Sequence, residues 1–118
     1  SSMRREPVYL EDIVRAADEI ARFVAGRKPE DLENDAQLRN AILFSLTVIG
    51  EAANSLPADF HARHADVRWR DVIALRNRIV HGYFSLDDAL VWQIATIHTP
   101  VLREQVGAIL RKEFPEPA

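Results

Sequence analysis

The segment Arg76-Asn77-Arg78-Ile79-Val80-His81-Gly82-Tyr83 sets cations, an imidazole and a phenol into two turns of an otherwise apolar helical pattern. Histidine accepts and donates protons around neutral pH. Arginine offers a fixed fork of donors suited to phosphate oxygens and stays charged. Together they suffice for cleaving RNA without a metal: the imidazole takes the proton of a ribose 2′-hydroxyl, and the guanidinium stabilises charge building on the phosphorus oxygens. DNA lacks that attacking group. A structural reading stands beside this one, with Arg76 in a salt bridge and His81 interacting favourably with the helix dipole. Glu51, the sole charge between Arg39 and Asp59, is the natural partner for Arg76. Both readings hold if Glu51 orients the arginine that a substrate uses.

At 100° per residue, Trp69, Val72, Ile73, Leu75, Ile79 and Val80 fall on one side of the helix that must carry these groups. Arg76 lies inside that stripe, where an unpaired buried charge would cost several kcal/mol, to order of magnitude. Asn77, Arg78 and His81 point the other way, and Tyr83 would return to the line of Arg76 if the helix continued. On an unbroken helix Arg76 and His81 stand about 140° apart. Either Gly82 bends the helix end, or a second copy of the chain, meeting the first about a twofold axis, completes the site; the second is favoured.

Helical spacing predicts a first helix over 8–25, ended by Gly26 and Pro29. A second runs from about Asp35 to Leu56, before Pro57. It is apolar around almost its whole circumference, as expected of an element contacted on several sides. A short helix is expected within 58–67, a third long helix over 69–81 with Gly82 as its break, and a fourth from about Leu86 to Leu110, capped by Ser85 or Asp87 and kinked at Pro100. The sequence predicts an all-α, antiparallel four- to five-helix bundle spanning 1–118 as one domain, with a loose tail over 112–118. With 47% hydrophobic and 28% charged residues among 118, one core is what the chain can build.

A formal net charge of −3 supplies no global field for nucleic acid, so binding falls to a local patch. Arg63, Arg68, Arg70 and Arg78 offer one, unless they are spent on ion pairs with Asp66 and Asp71. The chain has no cysteine, which removes disulfides and thiolate metal sites. His61 and His64 are three apart but read as a solvated turn rather than a metal pair. His98 reads as a capping or surface residue, and Trp69 and Trp92 as core anchors. No run is long enough to span a membrane and the N-terminus lacks the charged-then-apolar pattern of a signal peptide, so a cytoplasmic location is expected. Ser1-Ser2 reads as the remnant of a cleaved tag.

Arg76 to Tyr83 spells R-x4-H-x-Y, preceded by Trp69-Arg70-Asp71-Val72-Ile73 and followed by Phe84. With Val48-Ile49-Gly50-Glu51-Ala52-Ala53 and Val91-Trp92 in the same order and at similar spacing, the chain resembles the HepT-like toxins of the HEPN superfamily from its first helix to Leu110. The resemblance implies a HEPN-like homodimer that cleaves RNA, without metal or cofactor, at a cleft on the dimer interface. It implies catalytic roles for Arg76 and His81 and assistance from Asn77; Glu51 and Arg78, read from the residues themselves, are expected to support them. It also implies an antitoxin partner, an MNT-type nucleotidyltransferase that neutralises the toxin by transferring AMP to Tyr83. Neither DNA nor a membrane is expected as a partner. The alternative is a non-catalytic module of the same fold that scaffolds a nucleotidyltransferase or binds nucleotide.

Overall fold

The computed structural model describes residues 2–82 and 85–117, with side chains from residue 5 onward. Its elements are α1 (Ser2–Val24), α2 (Asp31–Asn34), α3 (Ala36–Ser55), α4 (Ala58–Arg63), α5 (Trp69–His81), α6 (Asp88–Gln93), a π-helical turn (Ile94–His98) and α7 (Thr99–Glu113). There is no strand among the described residues, and the all-α bundle expected from the sequence is what forms. None of the described helices is long and apolar enough to cross a membrane.

The long helices pack in the order α5, α3, α1, α7. Arg103 of α7 bonds Asp18 of α1 at 3.0 Å, and the far ends of the same helices meet where Arg63 lies 3.8 Å from Glu6 and 3.1 Å from Glu113. These two α1 and α7 are therefore antiparallel. So are α3 and α5: Arg39, near the start of α3, bonds the Leu86 carbonyl and Asp88 just past the end of α5, at 2.8 and 2.7 Å. Leu10, Ile13 and Ile20 of α1, Ile42, Leu43 and Ile49 of α3, Phe60 of α4, and Val106 of α7 fill the core. Because α5 packs chiefly on α3, the bundle stays open between α5 and the α6–α7 arm. A recess of about 470 Å³ remains there, floored by Leu46 and Ile49.

Boundaries differ from expectation in four places. The first helix begins at Ser2 rather than after Pro7, and Pro7 lies inside it, in the second turn, where it removes one backbone donor without ending the helix. Gly26 does terminate it, at φ 72°, the left-handed conformation that favours glycine. The linker holds the single turn α2, whose Leu32 is buried. The break at Pro100 takes the form of the preceding π turn: the Thr99 N–H reaches back to the Ile94 carbonyl, and the Thr99 hydroxyl donates to the same oxygen at 2.8 Å. A proline cannot donate and crowds the carbonyl four residues earlier, so one widened turn accommodates it. Finally, α7 continues through Glu113, and Phe114 packs against the core.

Asp35 caps α3 by accepting the Leu38 N–H at 3.1 Å. That bond, and then Arg27 at 3.3 Å, hold its carboxyl below the usual carboxylate range. A carboxyl depressed by folding stabilises above its unfolded titration and loses that effect as pH falls through the folded one. Asp35→Ala is therefore expected to lower the Tm at neutral pH, with the gap to the wild type closing in acid, as followed by thermal melts across pH.

Candidate active site

Arg76 sits at the seam of α3 and α5 because α3 offers no side chain to oppose it. Gly50 lies directly beneath: a Cβ built there would come within 2.1 Å of Arg76 Cβ and 2.8 Å of its Cγ. The arginine stem rests on the glycine, and the guanidinium turns toward the next residue of α3. Its Nε donates to Glu51 Oε1 at 2.7 Å, Nη2 donates to the same oxygen, and Nη1 donates to Asn77 Oδ1 at 2.8 Å. Three of five guanidinium N–H donors are thus used within the chain, and two have no partner among the described residues.

The pair is not the buried one that the helical pattern suggested. The Arg76 side chain is 25% exposed and that of Glu51 is 51%. The stripe containing Arg76 is only half covered: Ile79 is buried, whereas Val80 is 49% exposed. The facing helix has a matching gap. Phe44, two turns before Glu51 on the same side of α3, is 69% exposed. Although α3 is apolar nearly all round, it meets α1 and α5 and leaves this face bare.

His81 is the last residue of α5, and Gly82 ends the helix by donating to the Arg78 carbonyl at 2.8 Å. Ser85 turns the chain by donating its N–H and hydroxyl to the Gly82 carbonyl, at 2.8 and 2.6 Å. The helix is unbroken through His81, so Gly82 does not swing the imidazole toward Arg76, and the angle of about 140° stands. Asn77 falls between them around the helix. His81 is exposed and forms no hydrogen bond or ion pair to another described residue. Arg78 is exposed on the same side of α5. Tyr83 lies outside the described residues.

The remaining polar residues are occupied elsewhere. The His61 ring stacks on Trp69 with centroids 5.1 Å apart, and its Nε2 is 2.8 Å from the Ala53 carbonyl oxygen. His64 Nε2 is 2.5 Å from Glu113 Oε2, and its ring packs on Phe60. The two histidines are thus partly buried packing residues, not a solvated turn. Among the described residues, no group of three or more His, Cys, Asp or Glu is placed to hold a metal ion. Trp69 is a core anchor, donating Nε1–H to the His64 carbonyl at 2.9 Å, and Trp92 is half-buried. His98 is exposed, as expected. The recess beside α5 includes none of Arg76, Asn77 and His81.

Gly50 is the positioning residue that reading by residue type overlooked. Its signal was available: an isolated glycine within a helical apolar run has a packing reason more often than a conformational one, and this one precedes the lone acid.

An all-helical chain presenting an Arg-Asn pair braced by a glutamate, with a histidine one turn on, defines a class of small helical proteins built around an R-x4-H helix. The chain belongs to the ribonuclease HepT-like family, whose profile matches residues 13–109. It is 33% identical to "Putative RNase TTE0752" of Caldanaerobacter subterraneus subsp. tengcongensis, over 94% of this chain and 99% of that protein. It is 30% identical to "Putative RNase MJ1380" of Methanocaldococcus jannaschii, over 92% and 99% of the two chains. Against "Probable ribonuclease HepT" of Thermococcus cleftensis it is 33% identical, over 80% and 86%. No solved structure is significantly similar to the chain.

Proposed function

We propose that this protein is a toxin endoribonuclease that cleaves RNA without a metal, by attack of the ribose 2′-hydroxyl on the adjacent phosphodiester. His81 accepts the hydroxyl proton. The new bond joins the 2′-oxygen to phosphorus, and the bond from phosphorus to the 5′-oxygen breaks, leaving a 2′,3′-cyclic phosphate and a 5′-hydroxyl. The two open donors of Arg76 meet the charge on the phosphorus oxygens. Asn77 accepts from Arg76 and holds its fork flat against the helix, while Glu51 fixes the other edge. The single observation that carries this reading is that arrangement: a guanidinium braced by Glu51 and Asn77, yet still offering donors, one turn before an exposed His81 on the same helix.

The working form is a homodimer. In-line displacement needs a base on one side of phosphorus and a proton donor on the other, and one α5 carries a single histidine on a face turned away from Arg76. A second copy supplies both the opposing imidazole and a cover for Phe44 and Val80. Phe44→Asp is expected to leave the fold intact, since the side chain is exposed, while light scattering reports a monomer and RNA cleavage is lost.

Control is by an MNT-type nucleotidyltransferase that transfers AMP to Tyr83. Tyr83 follows His81 by two residues in the sequence, so the added phosphate is tethered to the same end of α5 as His81. There it repels RNA and competes for arginine donors. The test of the activity is direct: purified, unmodified protein is incubated with RNA and with DNA of the same sequence, in excess chelator. New 2′,3′-cyclic phosphate ends in RNA alone are expected. Intact RNA from folded dimer would overturn the reading in favour of a binding module.

A further inference from the structure

Four arginines cluster in sequence around α5, and the structure separates them into two kinds. Arg63 is committed to Glu6, Asp59 and Glu113. Arg68 pairs with Asp71 at 2.7 Å. Arg70 and Arg78 are exposed and have no ion pair or hydrogen bond to another described residue. Taken around the helix, Asn77, Arg70, His81, Ala74 and Arg78 fall in that order within an arc of about 100°. All five are exposed. No acid lies inside the arc, although the chain as a whole is acidic. Along the axis, Arg78 stands about 5 Å before His81 and Arg70 about 16 Å before it. Ala74 between them raises only a methyl, so a strand lying along this face meets no obstruction.

We infer that Arg70 and Arg78 form a phosphate-binding track for single-stranded RNA on the outer face of α5. Arg78 holds the backbone beside His81, and Arg70 holds it a few nucleotides away. The inference rests on the proposed RNA-cleaving role and extends it: the strand runs parallel to α5, and affinity comes from phosphates that take no part in the reaction. Binding of this kind is independent of sequence and falls with salt.

The experiment uses full-length dimer carrying His81→Ala, so that RNA is bound but not cut, and a short mixed-sequence single-stranded RNA as probe. The slope of log K against log salt is measured with Arg70→Ala, Arg78→Ala or Arg68→Ala added. Each single-strand phosphate contact contributes about 0.7 to that slope. Arg70→Ala and Arg78→Ala are expected to weaken binding several-fold and to reduce the slope by about 0.7 each. Arg68→Ala, whose charge Asp71 already offsets, is expected to leave it nearly unchanged. In the cleaving protein, Arg70→Ala is expected to raise KM and spare kcat, with Arg70→Lys restoring most of the loss. An unchanged slope for Arg70→Ala, in a parent that binds RNA, overturns the track while leaving the ribonuclease reading intact. A parent that fails to bind RNA overturns both.

Discussion

His81→Ala is expected to lower RNA cleavage by a factor of about 10² to 10⁴, the usual contribution of one positioned proton-transfer group, with an unchanged Tm. The two halves of that result have separate origins. His81 is exposed at the end of α5 and bonds to no other described residue, so truncating it opens no cavity and strands no buried partner. The activity loss follows from its chemistry alone. Arg76→Ala is expected to behave differently, because Glu51 Oε1 and Asn77 Oδ1 both lose a donor. Cleavage falls, and the Tm falls modestly, since the pair is partly solvated and such pairs contribute little net stability. Single-turnover kinetics and thermal melts on both variants check this. A purely architectural Arg76 would show the Tm change without the kinetic one.

Gly50→Ala is the second large effect, and it is expected to damage fold and site together. In a helix interior the exchange normally stabilises by about 1 kcal/mol through helix propensity. Here the new methyl would sit 2.1 Å from Arg76 Cβ and 3.3 Å from the Val72 carbonyl oxygen. Neither neighbour is the free end of a flexible chain. Relief requires α3 and α5 to separate by more than an ångström, and overpacking of that kind costs typically about 1–3 kcal/mol, sometimes more. The clash therefore outweighs the propensity gain. A Tm lower by several degrees, up to about 10 °C, is expected for a domain of this size, with cleavage reduced because the guanidinium leaves Glu51. Adding Arg76→Gly removes the clashing Cβ and should restore most of the stability but none of the activity. Additive losses in the double variant would show that the two residues do not share a packing site.

The elements that carry the site were legible because periodicity is a strong signal over a dozen residues or more. Trp69 to His81 forms the helix that its spacing predicts, and Asp87 caps the next, accepting the Ala89 N–H at 3.0 Å. The Arg76–Glu51 pair was legible for a simpler reason: α3 offered one charge and α5 placed one arginine in its apolar stripe. What pattern does not contain is distance. Nothing in residue types says that α3 and α5 approach until a glycine is needed, so Gly50 stands out in the sequence only as part of a matching block. Nor does an apolar stripe say who covers it, and Val80 and Phe44 count as core residues in a wheel although both stand in solvent in a single chain. The π turn was illegible because Pro100 announces a disruption without dictating how the backbone absorbs it. Of the four arginines, only coordinates separate those already paired from those still available.

Under the proposed function, the unbroken course of α5 bears on when the protein would become dangerous to the cell that makes it. One chain leaving the ribosome carries its arginine and its histidine on different faces of the same rod, and in the proposed dimer neither face does chemistry until a second copy arrives. Well below the dissociation constant, the amount of assembled catalyst rises with the square of the amount of chain. For the proposed toxin, basal expression would then be nearly harmless, and a modest burst of synthesis disproportionately toxic. In the proposed dimer the need for two copies sets a dose threshold, and the proposed modifying partner would have until that threshold is crossed to act.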